Sequence, residues 1–121
     1  MPDVADREVE QMLDEIFELS IDIRYAALYR NQSLSSRQRY GIQLGSASDS
    51  DRYEELLINP SILLLVRQRG NIDCGGAQFV VIRYGHFYQL VIDLLDGHVS
   101  VCLELTANPL DYAEAIRSIC S

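Results

Sequence analysis

The sequence predicts an α+β fold in the order α-β-β-α-β-β-β-α. Three observations carry this: a three-strand meander in the second half, an amphipathic helix near each end, and a helical stretch between the two groups of strands. The meander is residues 75–105, GGAQFVVIRYGHFYQLVIDLLDGHVSVCLEL. Asp96-Gly97 matches a type I′ turn with φ > 0 at both positions, and Gly85-His86 suits the leading glycine of a type II′ turn. Strand alternation then places Leu90, Ile92 and Leu94 on one face with Val99, Val101, Leu103, Leu105, Ala77, Phe79 and Val81, and this face is core. The opposite face carries Val80, Ile82, Tyr84, Phe87, Val91 and Cys102 among Gln89, Asp93, Ser100 and Glu104. It is too apolar to stand in water, so a helix of this chain or another protein covers it.

The remaining elements follow in order. Val9, Met12, Leu13, Ile16 and Phe17 recur at helical spacing with acids on the other side, which predicts a helix ending near Ser20. Ile21 to Arg30 switches to alternation, with Ile23, Tyr25, Ala27 and Tyr29 on one side of a strand, before the polar break RNQSLSSRQR. Tyr40, Ile42 and Leu44 suggest a short second strand. Ser48, Asp49 and Ser50 offer N-caps for a helix from Asp51. Asn59-Pro60 predicts a kink or a division into two helices, with Asn59 as the second cap and Pro60 at its first position. Ser61 to Arg69 continues helically to Gly70 as the C′ residue. Asn108 caps a last helix, with Pro109 at its first position and Tyr112, Ile116 and Ile119 buried.

At 121 residues and 48% hydrophobic content the chain makes one domain, 1–121, with a core of its own. A net charge of −8 makes nucleic acid a poor partner. All ten basic residues are Arg, which excludes any mechanism through a Lys amine. The opening MPDVADREVE is acidic where a secretion signal is basic and then apolar, so no signal peptide is expected. The longest apolar-rich run, residues 56–66, falls short of the ~20 residues of a membrane span. Three scattered cysteines without a CxxC read as free thiols, Cys102 on the sheet and Cys120 behind the last helix, and the expected location is the cytoplasm.

Chemistry is harder to find than surface. Asp73-Cys74-Gly75-Gly76 places a thiol in a loop, yet His86 lies about 25 Å away along the adjacent strand and only His98 has a way to approach it. The glycines are explained by a change of chain direction alone. His98 and Cys102 sit about 13 Å apart on one strand, too far to share a metal, and both histidines read as turn and surface residues. No phosphate-cradling glycine motif is present. Catalytic, metal and cofactor residues are therefore none. What stands out is SILLLVRQRG: it is apolar around more of its circumference than a one-sided helix needs, so either one side lies on the sheet and the other is free for a partner, or the helix is buried at the centre of the fold.

In these motifs the chain resembles the roadblock/dynein light chain family. The resemblance runs over most of the chain in element order and rests on the helix ending in Gly70, the meander QFVVIRYG, FYQLVIDL and DGHVSVCLEL, and the Asn-headed helix TANPLDYAEAIRSI. RNQSLSSRQRY replaces the tight, glycine-containing first hairpin of that family. The resemblance implies a central five-stranded antiparallel sheet with the first and last helices on one face and the middle helix on the other. It also implies a homodimer through the middle helix and third strand, with Ile62, Leu65, Val66, Arg69, Val80, Ile82 and Tyr84 at that or a partner's interface. Family members are non-enzymatic adaptors and regulators of Ras-like small GTPases, some attached to dynein or membrane-associated complexes. A small-ligand sensor of PAS or profilin-like architecture is the alternative, and a Cys74-dependent enzyme a third reading.

Overall fold

The computed structural model describes residues 4–42, 45 and 48–121, with side chains from residue 8 onward. Helix α1 (Val4–Glu18) leads to β1 (Ile23–Arg30) and β2 (Ser33–Gln38). A continuous middle helix follows, made of α2 (Ser48–Tyr53), a π-helical turn (Glu54–Ile58) and α3 (Asn59–Asp73). The meander β3 (Phe79–Arg83), β4 (Tyr88–Leu94) and β5 (Gly97–Leu103) comes next, then a 3₁₀ turn (Pro109–Asp111) and α4 (Ala113–Cys120). The strands form one antiparallel five-stranded sheet in the order β2-β1-β5-β4-β3. The expected α+β class and layering are present, with α1 and α4 on one face and the middle helix on the other.

The face under α1 and α4 is the main core: Leu13, Ile16, Ile23, Ala26, Leu28, Leu90, Ile92, Val99, Val101, Leu103, Ala113, Ile116 and Cys120 bury against one another. The face assignment read from alternation holds along the paired strands, except that Val81 on the terminal strand and Leu105 beyond the end of β5 are exposed rather than core. The turn that fixes it does not hold. Leu94 pairs with Gly97, so the turn residues are Leu95 and Asp96, neither of which has positive φ. Each pair slides by two positions relative to an Asp96-Gly97 turn, and a slide of two keeps every side chain on its face. Gly97 is there for space instead: a Cβ would stand 1.7 Å from the Tyr29 carbonyl oxygen of β1. Gly85-His86 does form the other turn, with the Tyr84 N–H donating to the Phe87 carbonyl at 2.9 Å. Gly85 has no positive φ, so that turn is not type II′.

Further expectations are corrected. The second strand lies inside the polar segment, at Ser33–Gln38, rather than at Tyr40 and Ile42; Leu44 is outside the described residues. Asn31 and Gln32, at φ 50 and 67°, close a tight first hairpin without glycine, as Asn tolerates the left-handed region. In β1 a register shift at Arg24 sends Ile23 to the α1/α4 face, while Tyr25, Ala27 and Tyr29 face the middle helix. Asn59 does not cap. It is helical, and its N–H reaches the Glu54 carbonyl five residues back, a widened turn that lets Pro60 follow without breaking the helix. Finally, Gly70 lies within α3, where a Cβ would come 2.8 Å from the Ala77 nitrogen, and left-handed Gly75 and Gly76 turn the chain instead. Asn108 does cap as expected, its Oδ1 accepting from the Leu110 N–H at 3.1 Å, though the first turn it heads is 3₁₀.

Candidate functional site

The residues expected at an interface fall into two groups. On α3, Ile62 is half-buried and Val66 slightly more open, Leu65 is 65% exposed, and Arg69 stands in solvent paired with Asp73 at 2.7 Å. Ile62, Leu65, Arg69 and the 75%-exposed Ile72 recur at i, i+3, i+7 and i+10, one flank of the helix. Leu63 and Gly70 point inward and are buried. Arg67, on the other flank, holds the helix over the sheet through two bonds to Asp93 of β4, at 2.8 and 3.2 Å. The opposite flank, with Leu65 and Ile72, stands in solvent, and β3 is a terminal strand of the sheet. Val80 and Ile82 are half-buried on the helix-facing side of β3, and Tyr84 just beyond it donates its hydroxyl to Glu54 at 2.8 Å.

Beneath the middle helix lies a polar network that the sequence reading missed. Glu55, 1% exposed, sits in the π turn, where its Oε1 accepts from Asn59 Nδ2 at 2.9 Å and lies 2.8 Å from His98 Nε2. Its Oε2 accepts from the Tyr25 hydroxyl at 3.2 Å. His98 is 2% exposed, so it is neither a turn nor a surface residue; the turn ends one residue earlier than expected and draws His98 into β5. Tyr29 stacks obliquely on it at 5.6 Å. Beside them Gln89 donates to Ser100 Oγ at 2.7 Å. A buried acid persists only with such partners, because taking an unpaired carboxylate out of water costs several kcal/mol, about 3–5 if one partner of a pair is lost. One signal was legible: Glu55 and Asn59 stand four apart and Leu63 four beyond, so acid and amide occupy the inward stripe where apolar residues belong.

Between α2, the π turn and the β3–β4 hairpin this network opens into a cleft of about 360 Å³, lined by Tyr25, Asp51, Glu54, Glu55, Tyr84, Phe87, Gln89 and Cys102 among others. Burial, then the negative field of Glu55, pushes the Tyr25 hydroxyl well up, and the Cys102 thiol is raised by the same causes. Burial likewise lifts the Glu54 carboxyl above the usual carboxylate range, opposed by its bond from Tyr84 and reinforced by Glu55 and Asp51. Phe87 carries the buried Arg24 guanidinium over its ring at 5.1 Å, and Arg24 also bonds Glu104 at 3.4 Å and the His86 carbonyl at 3.2 Å. Cys74, at the far end of α3, is exposed and bonded to Asp73, with His98 committed to Glu55. Among the described residues no cluster of three His, Cys, Asp or Glu is arranged to hold a metal, and no helix is long and apolar enough to cross a membrane.

No family model matches the chain, and no curated protein matches it in sequence. Solved structures do match in three dimensions. MglB in a tetrameric arrangement superposes with a TM-score of 0.68 at 16% identity, covering 98% of this chain and 92% of MglB. The gliding protein MglB of Thermus thermophilus, again of roadblock fold, gives 0.66 at 14% identity, covering 98% and 93%. The chain has a roadblock-like fold. Within that fold the helix placed over the sheet is α2–α3, the terminal strand beside it is β3, and the sequence-derived interface residues lie on these two elements or just beyond them. At such low identity the likeness speaks for architecture, while function has to be argued from the surface.

Proposed function

We propose that this chain is a non-enzymatic, homodimeric adaptor or regulator of a Ras-like small GTPase. The observation that carries the reading is the exposed apolar flank of the middle helix beside the open β3 edge: Leu65 and Ile72 stand in solvent on a helix whose inward side is already seated. A two-fold contact of α3 with α3 and β3 with β3 covers the flank and removes the edge in one step. Ile62, Leu65, Val66, Arg69, Val80, Ile82 and Tyr84 are its residues. The roadblock-like fold supports the assignment, since roadblock proteins work through such dimers on small GTPases.

The test is co-elution. The chain is mixed in turn with each Ras-like GTPase of its own cell, loaded with GDP or with a non-hydrolysable GTP analogue, and passed through gel filtration with light scattering. The expected result is a complex containing two copies of this chain and preferring one nucleotide state. Binding to none of them in either state would remove the GTPase reading. The small-ligand reading is favoured by one observation, the polar-floored cleft under the helix.

A further inference from the structure

The cleft has a chemical character that the dimer reading does not use. Its tyrosine donors are spent inward, because the Tyr25 hydroxyl is given to Glu55 and the Tyr84 hydroxyl to Glu54. Two of its acceptors are not. Gln89 is 2% exposed and lines the cleft; its amide nitrogen is committed to Ser100, while its amide oxygen accepts no hydrogen bond among the described residues. Glu54 uses one carboxyl oxygen for Tyr84, and its other has no partner among them. Asp51 and Glu55 add acidic groups to the same lining, and Tyr84 and Phe87, packed on each other with ring centroids 5.5 Å apart, form one aromatic wall. The Gln89 amide oxygen therefore meets the cleft as an open acceptor on an otherwise buried side chain.

We infer that this cleft is a binding site for a small organic cation, an amine with an apolar or aromatic body. Its ammonium donates to Gln89 Oε1 and to the open oxygen of Glu54, and its body lies against the wall that Tyr84 and Phe87 form together. An anion is refused by three acids, and a neutral body without donors leaves Gln89 unsatisfied. The volume equals that of about a dozen waters at ~30 Å³ each and falls at the low end of small-molecule pockets, so the ligand is metabolite-sized. This inference deepens the small-ligand reading and needs neither the dimer nor a GTPase.

Calorimetry on the purified full chain at pH 7.5 decides it, with phenethylamine, tyramine and cadaverine as probes, 2-phenylethanol as the neutral isostere and 3-phenylpropionate as the anion. The expected result is saturable binding of at least one amine, at least tenfold weaker binding of 2-phenylethanol, and none of 3-phenylpropionate. Glu54→Gln should weaken the amine at least tenfold. Ser50→Arg, at an exposed position on the cleft's rim, should do the same by placing a tethered guanidinium at the mouth, and it leaves the buried network untouched. Affinity should also fall as pH drops and Glu54 takes up its proton. The inference is overturned if no amine gives saturable heat up to millimolar concentration, if 2-phenylethanol binds as tightly as phenethylamine, or if Ser50→Arg binds the amine like the parent chain. A chain that binds amines but no GTPase would separate the two readings.

Discussion

The two faces of the sheet are held in different ways. Under α1 and α4 the contact is dry, with Leu, Ile and Val from the strands meeting two amphipathic helices. Under the middle helix the apolar cluster is small, Tyr25, Ala27 and Cys102 with Leu34 and Phe87 against it, and the helix is seated by the Glu55 network and by Arg67 on Asp93. Area-driven burial is tolerant of direction, whereas a buried acid with three partners fixes one placement. The first face is built to hold the fold together and the second to set where a helix and its exposed flank stand.

Removing a partner from the second face should have the largest effect. Glu55→Ala leaves His98, Tyr25 and Asn59 buried without their acceptor and should cost about 3–5 kcal/mol in urea denaturation. The triple variant Tyr25→Phe, Glu55→Leu, His98→Leu should recover most of that loss, because an apolar replacement of a whole ionic cluster is often neutral. If the triple is as unstable as the single, the network is not what separates the faces. Next comes the seam both faces share: Gly97→Val drives a Cβ into the Tyr29 carbonyl and should cost about 2–3 kcal/mol as strain between β1 and β5. A mild loss would show that these strands separate easily.

How far the sequence disclosed this contrast depended on alternation. The meander and its dry face were legible because a period of two survives even a misplaced turn, as the shift from Asp96-Gly97 to Leu95-Asp96 shows. Strand β2 was not, since a polar edge strand with Ser33, Ser35 and Arg37 on its α1 side has no apolar stripe to reveal it; Arg37 instead pairs with Glu10 and Asp14 of α1, at 2.5 Å each. The Glu55 network was hidden because its members come from β1, β5 and the middle helix, and only the fold brings them together. Asn59-Pro60 pointed to a break, where the chain instead absorbs the proline in a π turn.

Alkaline titration should sharpen the comparison more gently. Tyr25, Tyr84 and Cys102 on the helix side have raised pKa values, Tyr84 pushed up to about 12, and Cys120 on the other side is pushed up to about 11. Above roughly pH 9 the unfolded chain gives up these protons while the native chain keeps them, so the unfolded state binds fewer and stability falls as pH rises. Denaturation midpoints at pH 8 and pH 10.5 should show the fall, and Tyr25→Phe with Cys102→Ala should reduce it more than Cys120→Ala. Equal reductions would deny the asymmetry. The smallest effect is expected at the surface, where Arg69→Ala breaks an exposed pair and should change stability by about 0–1 kcal/mol.

The central claim is that the middle helix presents its outer flank to a second copy of the chain. Light scattering at micromolar concentration on the native chain and on Leu65→Asp tests it most directly. The account predicts twice the 13.7 kDa chain mass for the native protein and a folded species of single mass for the variant. A native protein that runs at 13.7 kDa, indistinguishable from Leu65→Asp, would contradict it.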